Sequence, residues 1–239
     1  MTLLAARMSL RATAVRLAQQ LGRLPILLWD FWRGYRAART RSAAETRKTA
    51  IHEAGHAVLM IALGLSFVGV SIIPDVRGGT LGQVYWSQVD FAADPRCREA
   101  IYLSHAMVCY AGAEAVRQLI PTDPYPDAGA SHDKQDAAKF IRHHIGGDAD
   151  SIALLFSLAK RRCALLVEHY QPEIEALAGA LETKLMLSAR DARSVFVTSL
   201  TGRAGRPLTF KTDPTVDRPA SDEAFRAFLR KLNLPPRAG

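Results

Sequence analysis

The sequence predicts a mainly α-helical domain carrying a small β-hairpin. Apolar residues recur at three- and four-residue spacing through most of the chain. Only two short runs read as strands, one of them rich in β-branched residues, and they lie close together. With 239 residues, 49% of them hydrophobic, there is enough apolar surface for a substantial core.

In order along the chain, Leu10, Ala14, Leu17, Leu21 and Leu24 form a stripe with Arg16 and Arg23 opposite it, which predicts a basic amphipathic helix over 3–24. Trp29, Phe31, Trp32 and Tyr35 follow among arginines, a mixture suited to a bilayer headgroup region, although the stripe would equally pack on the body or a partner. An organellar presequence is a third option, disfavoured by the scarcity of Ser and Thr. From Thr46 to about Leu65, Ile51, Ala54, Val58, Ile61 and Leu65 share one face of a buried helix that ends near Gly64. Val68 to Ile73 and Leu81 to Trp86 read as strands around a loop at Asp75 to Gly79.

Cys97 to Leu119 reads as the next helix. A proline-rich loop, Pro121 to Gly129, then leads to Ser131 as N-cap of a helix Asp133 to His144. Helices near Asp148 to His169 and Pro172 to Leu185 follow, and Ser188 caps a short one through Phe196. After Leu200 the composition turns to Gly, Arg, Pro and Asp, a linker before one short helix at Ser221 to Leu232. The expected division is a basic arm at 1–45, a central domain at 46–198, and a linker with a short helix at 199–239.

The formal charge of +8 is concentrated at one end. Residues 1–50 hold ten Lys and Arg against Asp30 and Glu45, leaving 21 basic and 21 acidic residues in the remainder. A neutral body with a basic arm argues against a nucleic-acid-binding face and for an arm that meets an anionic membrane surface or a partner protein. Cys97, Cys109 and Cys163 are odd in number and lack metal-ligand spacing, so they read as free thiols of a reducing compartment. No apolar run reaches a membrane span of ~18 residues, and arginines interrupt any secretory h-region. The expected location is cytoplasmic, with peripheral membrane association through the arm.

His52 and His56 lie four apart, so a helix projects both imidazoles from one face, close enough to hold one ion. Zn2+ suits two neutral imidazoles plus a carboxylate, leaving a coordination position for water. Glu53 lies about 100° around the helix from His52, where it serves as general base rather than ligand. Ala54 and Gly55 fill the gap with small residues. For the third ligand the sequence offers Glu114, Asp127, His132, Asp133, Asp136, His143 and His144, and spacing does not choose among them.

The stretches TAIHEAGHAVLMIALG from Thr49, VSIIP from Val70, GGTLGQVYW from Gly78, CYAGAEAV from Cys109 and GASHDKQDA from Gly129 resemble the peptidase domain of FtsH-type zinc proteases. The resemblance spans roughly 46–198 and implies a helical FtsH-peptidase-like fold, with zinc held by His52, His56 and Asp133. His132 stands where that family carries Asn, which puts a rival imidazole beside Asp133. Val116 stands where it often carries Glu, with Glu114 two residues earlier.

That family fuses the domain to an ATPase, yet the chain contains no G-x-x-x-x-G-K-[ST] motif. The expectation is a stand-alone endopeptidase for flexible or unfolded polypeptides, or one served by an ATPase or adaptor in trans. Related rings are built largely by the ATPase, so an oligomer is admitted rather than required. Val68 to Ile73 is expected either to pair with an extended substrate or to pack in the core. The alternative function is a catalytically inactive, zinc-stabilised adaptor at a membrane or partner protein.

Overall fold

The computed structural model describes residues 29–86, 98–144 and 149–202. The expected helices at 3–24 and Ser221 to Leu232, and Cys97, lie outside those residues. The described chain is mainly helical with one small sheet. Among its helices none is long and apolar enough to cross a membrane.

Helix α1 covers 29–40. It buries Gly34 and Ala38 and rests Tyr35 on the core. Helix α2, Ala43–Ala62, starts three residues earlier than the apolar pattern indicates. The cause is a capping box: Glu45 N–H donates to Ser42 Oγ at 3.2 Å, and Ser42 N–H donates to the Glu45 carboxylate at 3.1 Å. At the other end Gly64 takes a left-handed φ of 70° while Gly64 N–H reaches Ile61 O and Leu65 N–H reaches Met60 O, a Schellman close. Between those stops Ala50, Ile51, Ala54, Ala57, Val58, Leu59 and Met60 are all buried, so α2 is the axis of the core.

The sheet joins β1 (Phe67–Ser71), β2 (Gln83–Trp86) and β3 (Met186–Ser188) in the order β2-β1-β3, antiparallel throughout. Val70 pairs with Val84 on one side and Leu187 on the other. The third strand is a finding beyond the expected hairpin. It arises because Leu185, with no glycine to advertise the turn, adopts φ 62° and sends the chain from helix into strand. Its carbonyl then accepts from Ile72 N–H at 2.9 Å. Because β1 is flanked on both sides, it has no edge for a substrate. Among the described residues the outer edges of the sheet belong to β2 and β3.

Helix α3, Arg98–Leu119, packs on α2, and so does α6, Gln171–Lys184. Helices α4 (Ser131–His144) and α5 (Ala149–His169) cover α3. Helix α7, Ala189–Gly202, closes on α6 and β1, its start capped by Ser188 Oγ accepting from Asp191 N–H at 3.1 Å. In α4, Ser131 is the first helical residue rather than the cap, since Ala130 O already accepts from Lys134 N–H. Cys109 and Cys163 are buried free thiols, and burial raises the pKa of both.

Candidate metal centre

Helix α2 carries His52, Glu53 and His56, and helix α4 brings Asp133 in its first turn. That turn is held in place by the loop before it. Lys48 of α2 binds Asp123 at 2.6 Å and Tyr125 O at 2.8 Å, which ties the 121–129 loop to α2. The resulting approach is close. His52 Nε2 lies 3.1 Å from Asp133 Oδ2 and 3.1 Å from His56 Nε2, while His56 Nε2 lies 3.5 Å from Asp133 Oδ2.

A hydrogen bond to the backbone orients one of the two rings. His56 Nδ1 lies 2.7 Å from Val108 O. A carbonyl only accepts, so Nδ1 carries hydrogen and Nε2 is the atom turned to the cluster. His56 Nε2, His52 Nε2 and Asp133 Oδ2 therefore converge on one point, where a cation or a shared proton would offset the clustered electron-rich atoms. The electrostatics agree. Burial opposes protonation of His56, yet Asp133, by charge and hydrogen bond, and Glu53 outweigh it and push the imidazole up to about 9. Burial works against the Asp133 charge too, but His56 and His52 hold its carboxyl well below the usual range.

This donor set fits zinc. A triangle of those edges has its centre about 1.9 Å from each corner, close to ordinary zinc–ligand distances of ~2.0–2.2 Å, so the three donors could hold one ion. His52, His56 and Asp133 are the group among the described residues that meets the geometric requirement for a shared ion.

The other sequence candidates are engaged elsewhere or stand apart. Glu114 is salt-bridged to Arg117 and accepts from Gln118. Asp127 joins Arg117 and Lys134, and Asp136 joins Lys139. His132 is exposed on the cleft lining, outside the three-residue group. The side chains of His143 and His144 lie outside the described residues.

Glu53 is buried, and burial raises its pKa above the ordinary carboxyl range, with His52 and His56 pulling the other way. It lines one cleft with His52, His56 and Asp133, a space of about 740 Å³ whose walls come from the 78–84 segment, α2 and α4.

Several residues that shape this site escape the motif reading. Gly112 of α3 lies against both imidazoles, where a Cβ would fall 2.5 Å from His56 Nε2 and 2.6 Å from His52 Nε2. A glycine inside a helix costs about 1 kcal/mol relative to alanine, which is itself a signal that something must come close. Gly82 lies over Glu53, where a Cβ would meet Oε1 at 2.8 Å. Arg41 donates to Leu81 O at 2.8 Å and Ile72 O at 3.2 Å, which fixes the cleft wall next to Gly82. Trp86, His105 and Phe140 stack with centroids 4.6 and 5.0 Å apart, and Trp86 and Phe140 give the cleft an aromatic end. Those three rings come from β2, α3 and α4, so no local pattern announces them.

Compared with known proteins, the chain matches no family model and no curated protein.

Proposed function

We propose that this chain is a zinc-dependent endopeptidase acting on flexible or unfolded polypeptides. The observation that carries the reading is the burial of Glu53 beside the His52, His56 and Asp133 cluster, on the wall of the same open cleft. A purely structural zinc site needs four closed ligands and no neighbouring base. Three convergent donors with a base at hand support a hydrolytic site instead.

His52, His56 and Asp133 would hold the ion, which when bound activates water and polarises a carbonyl. Glu53 takes the proton of the attacking water and delivers it to the departing amine, a task its raised pKa suits. The edge of β2 offers backbone groups to an extended peptide, which strand addition would lay along the cleft. The aromatic end then receives a large apolar side chain. Energy for unfolding would come from an ATPase or adaptor in trans.

The test is metal analysis of the purified chain together with degradation of an unstructured protein, with and without chelator. Zinc at one per chain and chelator-sensitive cleavage are expected. Glu53→Gln should retain zinc and lose about 10²- to 10⁴-fold in rate. Full proteolysis by that variant would refute the role of Glu53, and zinc without any cleavage by the wild type would favour a metal-stabilised adaptor.

A further inference from the structure

We propose that the outer face of α1 docks on an anionic membrane surface, independently of whether the cleft cuts peptides. The helix has two distinct sides. At 100° per residue, Gly34, Tyr35 and Ala38 fall together, and all three face the body. Trp29, Arg33 and Arg36 fall on the opposite side, with Trp32 at its margin, edge-on to Tyr35. Trp29 is 66% exposed and Trp32 58%, large values for indoles in a chain whose core is otherwise well covered.

The chemistry of that face selects the occupant. Arg33 and Arg36 are exposed, and among the described residues neither has an acidic partner. The acid of this helix, Asp30, turns away to pair with Arg77. Indoles place an apolar ring and one N–H donor at the headgroup level, and guanidinium groups one turn away meet lipid phosphate and carboxylate there. A face that combines indoles with guanidinium groups and carries no acid fits a negatively charged lipid interface.

Docking α1 would also dock the body. Besides the Asp30–Arg77 pair, Gly34 abuts Pro74 so closely that no Cβ fits. Arg41, just past the helix, holds Ile72 O and Leu81 O. The helix is thus braced against the segment that forms the cleft wall.

The experiment uses the full chain with vesicles of phosphatidylcholine containing phosphatidylserine, and vesicles of phosphatidylcholine alone. The protein should sediment with the first and not the second. Arg33→Gln with Arg36→Gln should lower partitioning about thirtyfold. Trp29→Ala with Trp32→Ala should lower it about tenfold or more. Bromine-labelled lipid chains should quench the wild-type indole fluorescence. They should leave the Trp29→Phe, Trp32→Phe variant, which retains Trp86, unquenched.

Unchanged partitioning of both double variants, shown to be folded by circular dichroism, would overturn the proposal. So would equal binding to neutral vesicles, or failure of folded wild-type protein to bind either. Zinc content is read in the same samples and should be unaffected, which separates this outcome from the fate of the metal centre.

Discussion

Replacing Gly112 by alanine tests the metal centre from its back wall, without touching a ligand. The added carbon would meet His56 Nε2 at 2.5 Å, His52 Nε2 at 2.6 Å and His52 Cδ2 at 2.7 Å. Ordinary contact begins at 3.4 Å, so the overlap is roughly 0.8 Å against two rings at once. His56 has no easy relief, since it is tied to Val108 O on the same helix α3 that carries the intruding methyl. Moving α3 outward would part it from α2 at Gly55, which sits against Ala111 and Ala115. Overpacking of this kind costs about 1–3 kcal/mol, only partly offset by the 0.5–1 kcal/mol that alanine gains over glycine in a helix. Displaced imidazoles should weaken zinc binding at least 10- to 100-fold. Competition against a chromophoric chelator measures the affinity and a thermal melt measures the stability. Gly179→Ala in α6 is the control, because nothing lies within 4 Å of its added carbon. If Gly112→Ala bound zinc as tightly as wild type, the convergence of the two rings on that spot would be wrong.

Arg41→Gln should cost about 1–3 kcal/mol, because Leu81 O and Ile72 O lose a charged donor; it should slow peptide cleavage while leaving zinc content intact, as metal analysis beside a rate assay would show. His105 is buried and its imidazole is held down to about 4 by desolvation. The folded state therefore binds fewer protons than the unfolded one below about 6.5, so stability present above that pH is lost as pH falls toward 4. Melting temperature followed across that window should drop less steeply in His105→Phe than in wild type, and parallel curves would contradict the assignment. Trp86→Ala or Phe140→Ala should reduce cleavage beside large apolar residues more than cleavage elsewhere, with zinc unchanged; an unaltered cleavage map from a peptide library would remove the aromatic end from substrate recognition.

Much of the fold is legible locally because its causes are local. The helices follow from apolar spacing, and the end of α2 follows from Gly64. Errors fall where a polar signal or an unsignalled turn decides. The start of α2 depends on Ser42 and Glu45, three residues ahead of the apolar pattern. Strand β3 depends on a left-handed Leu185, a conformation that its residue type gives no reason to expect. The arm expected over 1–45 reads as separate by charge, yet Ala38 is buried and Arg41 binds the cleft wall.

The sequence alone determined that His52 and His56 share a helix face with Glu53 beside them, because a helix repeats every 3.6 residues whatever surrounds it. Only the tertiary structure shows that, of the five possible third ligands whose side chains are described, Asp133 faces them. Asp133 approaches because the 121–129 loop is tied to Lys48 and starts α4 beside the imidazoles, while Glu114, Asp127 and Asp136 are taken by neighbouring cations. Ligands distant in sequence meet through the packing of whole helices. That packing depends on contacts such as Gly55 against Ala111, which no local periodicity encodes.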